Sequence, residues 1–315
     1  MRIIEPLKQT FTDTLKVCRT LYAIMIPIIL VVKVLQELSL IQYCAAPLTP
    51  IMHLVGLPAN MGLVWATAIM SNLYAAIVVY AALIQHAEPL TVAQITTLCT
   101  MMLIAHNMPL ELKIAQKSGV SLRGQLALRM LGAIACGMLL HHGFAAFGMF
   151  GEPSALLWQP EPDKASLLAW GLDQIKNLGK LFFVIWALMG LMRLLGFLRI
   201  TDLFLFFLSP VLRFMGVGRS AATITVVGLT LGLAYGGGLI IHESKTGKVA
   251  RNDLFASISL MSLSHALVED TILMMVMGAN MVGTFWARLL FSLLVVAVLT
   301  RLYNRFYPLE SSATA

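Results

Sequence analysis

The stretch LMSLSHALVEDTILMMVMGANM, residues 260–281, sets one imidazole, His265, and two adjacent carboxylates, Glu269 and Asp270, inside an apolar run. In hydrocarbon an ionised side chain costs about 2.5–3.5 kcal/mol or more, so groups of this kind persist there to bind, to relay protons or to pair charge. His265 and Glu269 are spaced i,i+4 and share a face if the segment is helical, with Asp270 turned about 100° away. A second set lies in AHNMPLELK, residues 105–113, where His106, Asn107 and Glu111 surround Pro109. Asn107 and Glu111 are also i,i+4, although the proline argues against unbroken helix. Imidazole, carboxylate and amide groups together suit a cation, a proton relay or a polar organic solute.

A third signal is VVGLTLGLAYGGGLIIHES, residues 226–244. Gly228 and Gly232 fit close helix packing. The consecutive Gly236, Gly237 and Gly238 point instead to an unwound segment whose carbonyls could hold an ion. The matching place in the first half is SNLYAA, residues 71–76, where Ser71, Asn72 and Tyr74 interrupt an apolar run. Asn72 joins the candidate binding residues on that ground.

The elements that must position these groups are membrane helices. Of the 315 residues, 59% are hydrophobic and 12% charged, against roughly 25% charged in a soluble domain. Mean hydropathy is +0.84. Apolar runs long enough to cross a bilayer recur along the whole chain. The net charge of +7 comes from Lys and Arg flanking apolar segments, which fits membrane orientation and gives no reason to expect a nucleic-acid partner. The N-terminal residues MRIIEPLKQTFTDTLKVCRT read as an interfacial helix leading into the first span, without a removable signal peptide. The four cysteines form no CxxC pair and read as small hydrophobes.

An internal repeat organises the chain. PLTPIMHLVGL (47–57) parallels FLSPVLRFMGV (207–217), with Pro50 and Pro210, and Gly56 and Gly216, 160 residues apart. After a one-residue gap the spacing becomes 159 and matches His106 with His265, Glu111 with Asp270, Gly119 with Gly278, Gly124 with Gly283 and Arg129 with Arg288. The expected fold is therefore an all-α polytopic membrane protein of two repeats. Residues 1–150 hold the first, 151–168 an acidic, proline-rich linker, and 169–315 the second. Each repeat is expected to have about three full spans plus a broken re-entrant hairpin, placed at 91–117 and 251–277. The basic ends read as cytoplasmic and the linker as extracytoplasmic, in a multi-pass protein of the cell (inner) membrane. Each repeat then crosses an odd number of times, so the two are inverted, as in many transporters.

Glu111 and Arg129, and Asp270 and Arg288, are both 18 residues apart. This spacing supports a second reading for those carboxylates, as structural charge pairs with Arg129 and Arg288. His265 and Glu269 have no such partner in the repeat. Walker, GxSxG, HExxH and dinucleotide motifs are absent from the sequence, so it gives no reason to expect an enzyme or a bound cofactor.

The duplicated unit, its Pro-to-Gly turn before a polar-interrupted span, and SHALVEDTILMMVMGAN resemble the Gate, or nucleoside-recognition, domain family over nearly the whole chain. That family includes spore-maturation membrane proteins and shares its unit with concentrative nucleoside transporters and the membrane part of ferrous-iron transporters. The 315 residues hold no counterpart of the iron transporters' G domain or of the nucleoside transporters' extra scaffold helices. The resemblance thus implies a fold more than a substrate, with the metal, if any, unknown. The expected function is a transporter or permease-like protein moving a small polar solute or cation between two broken hairpins. Its partners would be the lipid bilayer, the solute and a second copy of itself in a homo-oligomer. The rival is a non-transporting membrane scaffold, and the third reading is a membrane-embedded hydrolase in which His265 and Glu269 activate water.

Overall fold

Where apolar runs are punctuated by capping residues and prolines, the computed structural model forms helices. It describes residues 4–84, 88–156, 166–198, 200–215, 217–232, 241–242 and 249–306. The first repeat contains α1 (Ile4–Glu37), short α2 (Ile41–Ala45) and α3 (Thr49–Leu54), α4 (Met61–Met70), α5 (Leu73–Ile84), α6 (Val92–Ile104), α7 (Met108–Lys117) and α8 (Leu122–Phe147). The second contains α9 (Leu167–Phe197), α10 (Ile200–Phe214), α11 (Arg219–Leu231), α12 (Arg251–Ser264), α13 (Leu267–Val276) and α14 (Arg288–Phe306). A π-helical turn, Val282–Ala287, leads into α14. The chain is an all-α polytopic membrane protein, with five segments long and apolar enough to span a bilayer among the described residues.

Local chemistry fixes the ends. Thr91 and Gln94 form a reciprocal capping box at the start of α6, and Gln94 also donates to the Gly56 carbonyl. Ser121 caps α8 and Ser166 caps α9, each satisfying a backbone N–H that the first turn leaves free. Gly119 and Gly278 both adopt φ near +90° in the turns after α7 and α13, a conformation that a β-carbon would strain.

Contacts along α1 and α9 order the layers. Asp13 pairs with Arg193, Tyr22 Oη donates to the Leu178 carbonyl, and Lys33 lies over the Trp170 ring, so α1 and α9 run antiparallel. Their outward faces carry exposed Leu30, Val31, Val34, Phe183 and Phe197, as lipid-facing helices require. At 34 residues, α1 is one continuous helix of about 51 Å, longer than a hydrocarbon core of about 30 Å. The N-terminal helix expected to lead into the first span is continuous with it.

The positions of the re-entrant and crossing elements correct the sequence reading. α4 and α5 pack against each other as the two arms of a hairpin. They turn at Ser71–Asn72, and α5 ends beside α1, where Gln36 donates to the Ala82 carbonyl. α6 and α7 do not fold back on each other. α8 runs antiparallel along both, with Arg129 beside Glu111 and Gly137 against Met101. Residues 92–117 therefore cross the membrane as one broken span, and 61–84 is the re-entrant hairpin. α12 and α13 repeat this arrangement, and together they form one span-length segment that is largely buried.

The first repeat thus crosses three times and dips once, and α9, the α12–α13 segment and α14 are the span-length segments of the second. The described ends of α1 and α14 lie on one side, with Asn252 at the start of α12 bonding Asn304 near the end of α14. The linker starts on the other side, where Val92 N–H donates to the Glu152 carbonyl and Gly278 approaches Ala155.

Candidate functional site

The two broken spans meet at their breaks. In α6–α7 the break holds Ala105, His106 and Asn107; in α12–α13 it holds His265 and Ala266. Asn107 and Ala266 both adopt left-handed backbone at φ 46°. This unfavourable conformation for a side chain is held at the same repeat position twice. The ends of α4 and α11 buttress the breaks: Asn107 N–H donates to the Ala68 carbonyl of α4, and Gly232, which ends α11, lies against Ala266.

A break leaves helical carbonyls without partners, and one fully buried arginine serves each. Arg129 Nε donates to the Ile104 carbonyl and Nη2 to that of His106, at 2.9 and 2.7 Å. Arg288 Nε donates to the Leu263 carbonyl and Nη2 to that of His265, at 3.1 and 2.6 Å. Arginine's fixed fork of donors suits this bridging; lysine could not reproduce it.

The histidines face each other across the repeat interface with Nε2 atoms 3.2 Å apart. His106 Nδ1 sits 3.1 Å from the Met102 and Leu103 carbonyls, and His265 Nδ1 2.8 Å from that of Met261. Glu111 joins them. Its Oε2 takes Arg129, and its Oε1 lies 3.5 Å from His106 Nε2 and 3.3 Å from His265 Nε2. Asp270 places a carboxylate oxygen within 4.8 Å of a nitrogen of each histidine. All four are buried.

The other expected site residues fall differently. The charge pairing expected for Arg129 and Arg288 forms only in the first repeat. Asp270 is one methylene shorter than Glu111, and no ion pair joins it to Arg288 among the described residues. Asp270 Oδ2 and Arg288 Nη1 are both buried without a hydrogen-bond partner.

His265 and Glu269 do not share a helical face, because α12 ends at Ser264 and α13 starts at Leu267. Glu269 is half-buried and lines a groove with Asp13, Lys16, Tyr74, Met189, Met192 and Arg193. Asn72 acts locally, its Oδ1 accepting from the Ala75 N–H at the start of α5. Asn107 contributes backbone, and its side chain makes no capping bond. Gly236, Gly237 and Gly238 lie outside the described residues.

That groove is a cavity of about 580 Å³ on the side of the chain ends. Around Ile29, Val32, Lys33 and Asn177, the repeat mates of four of its lining residues, lie spaces of about 30 and 20 Å³. The carboxyl-bearing Glu269 replaces Leu110 of the first repeat. Glu269 therefore puts a carboxyl group in the wall of the larger space.

This chain is similar to a bacterial membrane protein. It is 26% identical over 300 residues, 92% of each chain, to the uncharacterized membrane protein YvoD of Bacillus subtilis (strain 168). No protein-family description matches the chain, and no solved structure does.

Proposed function

We propose that this membrane protein is a transporter of a small polar solute or cation, with its binding site at the meeting of the two broken spans. The observation that carries the reading is the His106–His265 contact across the interface of two inverted repeats, 3.2 Å between Nε2 atoms. Sites at repeat interfaces, built from breaks in spanning helices, are where rocking of one repeat against the other exposes a ligand to alternate sides. The unequal grooves add support, since a carrier holds one path open and the other shut.

On this reading the chain does no bond-making chemistry and belongs with the Gate, or nucleoside-recognition, family it resembles in repeat and motif. It sits in the cell membrane with both ends cytoplasmic and its wide groove facing the cytoplasm. Lipid covers α1 and α9.

A thermal-shift screen of purified protein against nucleosides, divalent metals and small organic ions tests the reading, followed by uptake of each hit into liposomes. A ligand at 100 times its dissociation constant stabilises the fold by about 2.7 kcal/mol. Stabilisation by one class, with uptake of the same class, is the expected result. Failure of every solute to stabilise the protein or enter the liposomes would favour a scaffold.

A further inference from the structure

Acceptor atoms converge where the breaks meet, and among the described residues the donor that reaches them, Arg129 Nη1, takes only Glu111 Oε2. The Nδ1 atoms of His106 and His265 each face backbone carbonyls, which only accept, so both Nδ1 atoms carry the ring hydrogen. In the neutral rings both Nε2 atoms then present lone pairs, and they face each other at 3.2 Å. Glu111 Oε1 brings another lone pair at 3.3 and 3.5 Å from these nitrogens. Asp270 brings a carboxylate oxygen within 4.8 Å of a nitrogen of each ring, and its Oδ2 is buried without a partner. In a buried, low-dielectric setting such a convergence is repulsive unless a cation sits within it.

We propose that His106, His265 and Glu111, completed by Asp270, bind a divalent first-row transition-metal ion, and that this ion is the transported species. The spacing favours a metal over a proton. A proton shared with Glu111 would draw the groups to the charge-assisted range of about 2.7–2.9 Å. Histidine nitrogen and carboxylate oxygen bind such an ion at about 2.0–2.2 Å, which places neighbouring tetrahedral ligands roughly 3.3–3.5 Å apart. The observed 3.3 and 3.5 Å fall at that spacing and 3.2 Å lies just below it.

Two imidazoles and two carboxylates suit zinc, ferrous iron, cobalt or manganese better than soft cuprous copper. Arg129 and Arg288 stand behind the ligands and offset the two carboxylate charges. The ion is therefore held without a large excess of negative charge, as release from a carrier requires. The assignment of the ion as cargo rests on the transport reading above; its binding does not.

The test uses the full chain on a non-histidine tag, in lipid nanodiscs, stripped with a chelator. Co²⁺ is titrated while its visible d–d absorption is followed, and Zn²⁺ is added as competitor. One Co²⁺ per chain, displaced by Zn²⁺, is expected. H106Q and H265Q should each weaken binding by about tenfold or more, the range that perturbing a metal's ligand shell produces. Asp270→Asn should weaken it likewise, and because its Oδ2 makes no bond in the fold, that variant should remain folded. H142Q, exposed at the end of α8, should leave the titration unchanged. Absence of Co²⁺ absorption in the wild type, or undiminished binding in both H106Q and D270N, would overturn the site. Binding without uptake into liposomes would keep the site and sink its role in transport. Uptake of an organic solute without metal binding would do the reverse.

Discussion

Asp270 Oδ2 and Arg288 Nη1 are both buried without partners, whereas Glu111 and Arg129, their repeat counterparts, are joined. The two arginines hold the carbonyls of the breaks in the same way, so the difference lies in the carboxylate. One methylene separates aspartate from glutamate, and that length lets Glu111 span from Arg129 to the histidines. A buried carboxylate kept off its natural counter-ion costs stability. Its retention beside two facing imidazoles accords with a role in holding something else.

Asp270→Glu should therefore stabilise the protein and weaken the site together. The longer side chain can reach Arg288 Nη1 and satisfy both orphaned groups, a gain on the order of 1–3 kcal/mol. Thermal unfolding in detergent should shift upward, while affinity for Co²⁺ falls. A lower melting temperature with unchanged Co²⁺ affinity would show that Asp270 neither faces Arg288 nor serves the site.

The first-repeat pair should behave as a coupled unit. Arg129→Ala removes Glu111's partner and the two carbonyl bonds at the break, so a loss of roughly 3–5 kcal/mol is expected. Glu111→Gln in that background should add little, because its charge no longer has a partner to lose. Unfolding of both single variants and the double variant measures the coupling. Strict additivity would contradict the buried pair.

The sequence carried the register of this site but not its path. The 159-residue spacing predicted that His106 and His265 occupy matching places, and they touch. It also fixed the arginines, although not that they bind the carbonyls of the breaks. What stayed hidden was where the chain reverses. Residues 61–84 and 92–117 are both apolar runs of similar length with one polar interruption, and hydropathy does not say whether an interruption turns the chain back or merely breaks a helix. Tertiary contacts decide that, through the packing of α4 on α5 and the course of α8 along α6 and α7. The break at His265 was equally silent, since neither glycine nor proline marks it. Only its alignment with Asn107 and Pro109 hinted that the i,i+4 relation to Glu269 would fail.

Topology follows from the odd number of crossings in each repeat. Single cysteines at Ser154 and Ser311, in a cysteine-free background, place the linker and the C-terminus by reaction with an impermeant thiol reagent. Intact cells should label position 154 only, and lysed cells both. Labelling of 311 but not 154 in intact cells would invert the assignment and put the wide groove outside.

The last prediction concerns that groove. Met192 and Val32 occupy matching repeat positions, yet Met192 lines the cavity of about 580 Å³ and Val32 a space of about 20 Å³. Met192→Cys should react rapidly with a small hydrophilic thiol reagent applied from the side of the chain ends. Val32→Cys should react slowly from either side. Binding of the transported ion should change the two rates in opposite directions if the repeats rock. Glu269 stands in the wall of the wide groove, next in the chain to Asp270, where an incoming cation would pass. Glu269→Gln keeps the shape and removes the charge, so it should slow uptake while leaving the melting temperature nearly unchanged. Equal reactivity of the two cysteines, unmoved by ion, would mean that the grooves are not alternating paths. Normal uptake by both Glu269→Gln and His265→Ala would move the site away from the breaks, towards the glycines at 236–238.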